Sequence, residues 1–292
     1  MLLTATGVAV MLLALLMALL PGLPALGAAQ PPWAGRSSAE ARALLVRPAV
    51  SAPAATARPG CEASLERAAA GKEGRVPRLA IVGASFTAGV GPGRPHLAWS
   101  VRLARELHWD GVIYGVPGAG YIKRGLGFRG PVSAELRRVQ LTGLKPRLVI
   151  VQAGHDDMGL PTALEEQRVR QAVGMIRAEA PQARIALLTV FPGRRNQDQA
   201  VRTDRAIVTA ARAADPGVII MDPLAGHWVF PRSRDGLHPT AAGDAWIAAK
   251  VLSLLRAHGI APAPAGGGQV CDSAVTAPPS PQPSPPHPPH WR

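Results

Sequence analysis

Ser85, Asp235 and His238 are the residues whose types and spacing can do chemistry. Ser85 lies in Leu79-Ala-Ile-Val-Gly-Ala-Ser-Phe-Thr-Ala-Gly89, where an apolar run ends abruptly in a turn of small residues. Ligands of open α/β sheets sit just beyond the carboxyl ends of the strands, so a serine at such a turn is a candidate nucleophile. The competing reading is a serine that caps the following helix, a position serine favours. The segment Ser233-Arg-Asp-Gly-Leu-His-Pro-Thr240 decides between them, because it supplies a carboxylate and an imidazole three residues apart. A serine hydroxyl is a weak nucleophile until a base removes its proton, and an unperturbed imidazole titrates near neutrality. His238 is therefore the candidate base. Asp235 is the candidate partner for its other ring nitrogen, fixing the tautomer and favouring the transient imidazolium.

Acyl transfer also needs donors for a developing oxyanion. Gly115-Val-Pro-Gly118-Ala-Gly120-Tyr121 follows a second apolar run, and its glycines let backbone N–H groups approach a ligand. The N–H groups of Ser85 and Gly118 are the candidate donors. A third segment, Gly154-His155-Asp156-Asp157, follows another apolar run. Consecutive residues on a tight turn rarely converge on one ion, so no metal is expected there, and no cofactor motif is apparent. Gly-x-Ser-x-Gly is not matched, since position 87 is Thr. Gly89-Val-Gly-Pro-Gly93 lacks the Gly-Lys-Ser/Thr of a phosphate loop.

The elements that must hold these residues alternate. Apolar runs at Leu79–Val82, Val112–Tyr114, Leu148–Val151, Ile185–Val190 and Val218–Met221 read as buried strands. Helical spacing is read at Leu97–Leu107, Val132–Leu141, Thr162–Glu179, Gln199–Ala213 and Thr240–His258. Five strands alternating with five helices imply a parallel sheet with right-handed crossovers and helices on both faces, an α/β fold. The flavodoxin-like order 2-1-3-4-5 is the common one for five strands.

Composition bounds the rest. Residues 1–29 carry an apolar stretch from Gly7 to Leu20, then prolines and Gly27-Ala28-Ala29, the pattern of an export signal without the usual basic start. An uncleaved anchor is the alternative, since the stretch approaches the roughly 20 residues that span a bilayer. Residues 30–76 form an Ala/Pro-rich linker containing Cys61, residues 77–258 form the catalytic domain, and residues 259–292 form a Pro-rich tail containing Cys271. An exported location suits a disulfide between the two cysteines. In a parallel α/β sheet both would approach the face opposite the site, closing a loop of about 210 residues. Formal net charge is +13 with 4% aromatics. Loose attraction to an anionic cell envelope follows from that charge, and no nucleic-acid motif accompanies it. A monomer, secreted or attached to the envelope, is expected.

Together these blocks resemble the SGNH/GDSL hydrolase family over about residues 77–258. Gly83-Ala-Ser85 resembles the first block, where Ala84 replaces the habitual Asp; Gly118 fits the second-block glycine; Asp235 and His238 with Pro239 match the last. The resemblance implies a three-layer α/β/α sandwich and a serine esterase, lipase or acyltransferase acting on a small acyl ester or a glycolipid. One departure stands out: the third block usually reads Gly-x-Asn-Asp, and Asp156 occupies the place of the Asn that serves as a third oxyanion donor. An ionised carboxylate only accepts hydrogen bonds. Besides hydrolysis, the sequence leaves open acyl transfer to a carbohydrate or lipid hydroxyl, and a weakly catalytic envelope-binding module.

Overall fold

Continuous apolar runs become the centre of a sheet, and each deeply buried strand here is such a run. A computed structural model of the protein describes residues 76–193, 196–265 and 268–272, all within a unit spanning residues 55–292. The export signal, Cys61 and the chain beyond Asp272 lie outside the described residues. The strands are β1 (Arg78–Gly83), β2 (Asp110–Gly115), β3 (Leu148–Gln152), β4 (Arg184–Leu188), β5 (Ile219–Met221) and β6 (Val270–Asp272). They form one sheet in the order β5-β4-β3-β1-β2-β6, and every pairing is parallel. The order of the first five is the one expected.

The sixth strand corrects the sequence reading, which ended the sheet at five and assigned residues 259–292 to a tail. Val270–Asp272 pairs along β2 from Gly111 to Ile113, and the approach is fixed by Gly111 N–H donating to Gln269 O at 2.8 Å and Gln269 N–H to Asp110 Oδ1 at 2.9 Å. The physical reason is that β2 would otherwise present a bare edge of unpaired N–H and C=O groups. A run of three residues after Gly266-Gly267-Gly268 carries too little periodicity to be read as a strand.

Side chains alternate across the sheet and build two cores. On one face Leu79, Ile81, Ile113 and Ile150 pack with α1 (Trp99–Leu107) and α6 (Ala241–Ala257), through residues such as Leu103, Ile247 and Val251. On the other, Ala80, Val82, Val149 and Val151 meet α2 (Val132–Val139), α4 (Thr162–Glu179) and α5 (Gln197–Ala214); a short helix α3 (Leu141–Leu144) links α2 to β3. Helix, sheet and helix make the three layers. Strand order reverses beside β1, so the crevice beyond β1 and β3 is where a ligand site belongs.

Candidate active site

The turn after β1 begins the site. Ser85 is buried, 7% exposed, and α1 starts only at Trp99, so Ser85 caps no helix. The turn closes on itself through Ala88 N–H to Ala84 O (3.0 Å) and Val90 N–H to Ser85 O (3.0 Å). It is also clamped to β3. Gln152, fully buried at the end of that strand, accepts from Thr87 N–H (3.2 Å) and Thr87 Oγ1 (3.0 Å) through Oε1, while its carbonyl accepts from Ala84 N–H (3.1 Å). Gly83 permits that approach, since a Cβ there would lie 2.4 Å from Gln152 O.

The segment before α6 folds back as a narrow hairpin. Ser233 N–H donates to His238 O (2.8 Å) and Thr240 N–H to Pro231 O (3.0 Å), and Thr240 Oγ1 caps α6 by accepting from Gly243 N–H. This hairpin brings the three sequence-predicted residues together. His238 Nε2 lies 2.9 Å from Ser85 Oγ, and His238 Nδ1 lies 2.6 Å from Asp235 Oδ2. The other oxygen of Asp235 accepts from Ser233 Oγ (2.8 Å), Leu237 N–H (2.8 Å) and His238 N–H (2.9 Å). Partial burial pulls the Asp235 carboxyl upward, but these bonds outweigh it and hold the group well below the usual carboxylate range. A permanent anion against one ring nitrogen and a hydroxyl against the other is the arrangement that lets an imidazole take a proton from serine.

The N–H groups of Ser85 and Gly118 donate to no acceptor among the described residues, which leaves them available to an oxyanion. His155, Asp156 and Asp157 form a single helical turn after Gly154. Burial and the adjacent Asp157 charge push Asp156 up to about 6, against the pull of His238 and Lys123. Burial likewise lowers His155, and the charges of His238 and Arg232 lower it further. The carboxylate that accepts from the glycine loop is the neighbour, Asp157: Tyr121 N–H donates to it at 2.6 Å and Lys123 N–H at 2.9 Å.

Of the disulfide pair, Cys271 is buried in β6 opposite Val112 and is not a free thiol; Cys61 lies outside the described residues. No group of three metal-ligating side chains occurs among the described residues.

Sequence reasoning missed Gln152, Thr87, the bonds of Asp157 to the glycine loop and an aromatic cluster. A polar residue closing an apolar strand was the available signal for Gln152. The aromatics gave none, being scattered in sequence. The chain has only twelve Phe, Trp and Tyr residues. Five of them, Phe86, Phe191, Trp228, Phe230 and Trp246, nevertheless pack in one continuous group. Phe86 stacks on Phe191 at 4.1 Å between ring centres and leans against the His238 ring at 5.3 Å. Tight packing beneath an imidazole restricts its rotation, so the cluster buttresses the base as well as filling the core.

Comparison with known proteins supplies a family and a fold. Residues 81–246, more than half of the chain, match the model of the GDSL-like lipase/acylhydrolase family. A GDSL lipase of Mycobacterium tuberculosis, Rv0518, is 28% identical over 195 residues, covering 62% of this chain and 82% of its own. Est24, a carbohydrate acetylesterase from Sinorhizobium meliloti, superposes with a TM-score of 0.50 at 14% identity, covering 62% of this chain and 99% of that one. A family two carbohydrate esterase from Cellvibrio japonicus also reaches 0.50 at 18% identity, over 62% of this chain and 61% of that one. These two likenesses concern the fold. The chain belongs to the GDSL-like lipase/acylhydrolase family and is a carboxylic ester hydrolase.

Proposed function

We propose that the protein is an exported serine esterase that works through an acyl-enzyme on Ser85. The observation that carries this reading is the unbroken chain Ser85 Oγ–His238 Nε2 (2.9 Å) and His238 Nδ1–Asp235 Oδ2 (2.6 Å). His238 takes the hydroxyl proton as Ser85 Oγ bonds to the ester carbonyl carbon. Ser85 and Gly118 N–H groups receive the oxyanion. Collapse of the tetrahedral species releases the alcohol, which leaves with the proton held by His238. Water then repeats the sequence in reverse, with His238 again as base, and frees the acid. Asp235 keeps Nδ1 protonated throughout. Acyl transfer differs only in the second half, where a carbohydrate or lipid hydroxyl replaces water.

The substrate reading is an acyl ester of a small alcohol, an acylated carbohydrate or a glycolipid. The apolar start of the sequence supports export, and the +13 charge supports association with an anionic envelope. A Cys61–Cys271 bridge belongs to the same reading, tying the linker to the β6 edge, away from the chemistry; peptide mapping without reductant should recover the linked pair from exported protein.

Ser85→Ala tests the central claim. The variant should keep its melting temperature and lose both turnover of 4-nitrophenyl acetate and labelling by a fluorophosphonate. Turnover persisting at wild-type level would remove Ser85 from the mechanism. Comparing acetyl with longer acyl esters on the wild-type protein then separates an acetylesterase from a lipase.

A further inference from the structure

A buried carboxylate that touches neither Ser85 nor His238 joins the two loops on the oxyanion side. Asp157 is 1% exposed. Its Oδ2 accepts from Tyr121 N–H at 2.6 Å, its Oδ1 from Lys123 N–H at 2.9 Å, and Ile122 N–H lies 3.3 and 3.4 Å from the two oxygens. Three successive backbone donors converging on one anion make a nest. The fit leaves no slack: a Cβ at Gly120 would lie 2.1–2.3 Å from the carboxylate atoms. The nest begins three residues after Gly118, on a loop further closed by Ala119 N–H to Val116 O (3.0 Å) and Leu126 N–H to Pro117 O (2.8 Å). Asp157 itself belongs to the turn that carries Asp156. Behind it stands Glu165 of α4, 2% exposed.

We propose that Asp157, backed by Glu165, is a positioning residue that fixes the Gly118 N–H where the oxyanion forms, so that the ester hydrolysis proposed above depends on it. Oxyanion donors must lie about 2.7–3.1 Å from the developing charge, and a misplacement of about 1 Å costs about 10²-fold. Asp157 anchors the glycine loop to the 155–157 turn, so both walls of the oxyanion pocket move together or not at all. Burial and the Asp157 charge lift Glu165 to about 9, which keeps it protonated and leaves the negative charge on Asp157 for the three N–H groups. Burial raises Asp157 as well, against the loop N–H groups and Glu165, so removing the Glu165 carboxyl raises it further and loosens its grip.

The test rests on Asp157→Asn, whose amide nitrogen must face one of the loop N–H groups. The expected result is a fall in kcat of about 10²-fold, a KM within threefold of wild type, and weakening of a boronic acid transition-state analogue by the same factor as kcat. Glu165→Gln should stay within threefold of wild type, and Glu165→Leu should lose about tenfold in kcat, since only the former keeps a polar N–H group beside Asp157. A folded Asp157→Asn with kcat within threefold of wild type, or with the whole loss in KM and unchanged analogue binding, overturns the proposal. Should Asp157→Asn fail to fold, a folded Glu165→Leu with wild-type kcat overturns it instead. Ser85→Ala keeps the two readings apart. If it retains turnover, the serine mechanism falls; if it is inactive while Asp157→Asn is unimpaired, only the positioning role falls.

Discussion

The hairpin at residues 231–240 and the turn at 154–157 each bring a carboxylate close enough to feel His238, with opposite outcomes. Asp235 is half-exposed, yet it receives bonds from Ser233 Oγ, the Leu237 and His238 N–H groups and the His238 ring. Its carboxyl is held well below the ordinary range, despite a contrary push from burial. Asp156 is half-buried, lies beside the Asp157 charge, and is pushed up to about 6. Burial and the supply of donors point the same way: the more exposed carboxyl with four donors is held down, and the more buried one beside a like charge is pushed up. The consequence is a division of labour. Asp235 is a fixed anion suited to orienting an imidazole, whereas Asp156 is pushed toward a neutral form, at the position proposed for an oxyanion donor.

Breaking the hairpin side has the largest expected effect. Asp235→Asn keeps the size and one carbonyl, but turns a donor toward His238 Nδ1 and so favours the wrong tautomer. By analogy with serine hydrolases generally, kcat should fall by about 10³–10⁴-fold with KM little changed. Steady-state kinetics on a soluble ester checks this. A loss below tenfold would show that the Phe86 stack and the hairpin orient His238 without the carboxylate.

The turn side should respond more modestly and in a pH-dependent way. Below about 6 Asp156 is protonated and able to donate; above it, the carboxylate opposes the developing oxyanion. Asp156→Asn supplies a neutral donor at every pH. The ratio of variant to wild-type kcat should therefore be near one at pH 5 and rise through pH 6 to a plateau by pH 8. Parallel pH–rate profiles measure it. A variant that loses tenfold or more at every pH would instead make Asp156 a structural group.

The same contrast explains what was legible in the sequence. Asp235 and His238 are three apart, and the geometry that joins them is local to one hairpin, so spacing sufficed. Ser85 was legible because strand ends in a parallel sheet mark the site. Five strands followed from apolar runs with helical stretches between them, whereas their order came only from the commonest arrangement of five such strands. Asp156 and Asp157 are adjacent and chemically identical, so their opposite duties depend on what surrounds each: loop N–H groups from residues 121–123 for one, half-burial for the other. The Asp157 neighbours come from 34 to 36 positions away, and no periodicity encodes such a contact. Strand β6 and the Phe86–Phe191 stack were hidden for the same reason, being short or scattered pieces whose partners are distant in the chain.

Asp244 extends the comparison to a carboxyl with both influences and has the smallest expected effect, on stability alone. It is fully buried in the first turn of α6. Its Oδ1 accepts from Trp99 N–H at 2.9 Å, capping α1, which has no side-chain cap of its own, while Oδ2 is unpaired among the described residues. Burial wins over the Trp99 bond and the Arg102 charge, and raises the group to about 7. The sign follows from linkage. Below about pH 4 the carboxyl is protonated in folded and unfolded chains alike. Between about 4 and 7 the unfolded chain releases the proton and the folded chain retains it, so stability falls as pH rises, and above 7 the penalty is constant. Asp244→Asn keeps the carbonyl for Trp99 and does not titrate. The difference in melting temperature, variant minus wild type, should thus climb from pH 4 to pH 7 and then level off. Thermal unfolding at four or five pH values is enough to see it. A difference that stays flat, or falls with pH, would mean that the Trp99 bond and Arg102 keep Asp244 ionised, and that one donor with a nearby cation can outweigh complete burial.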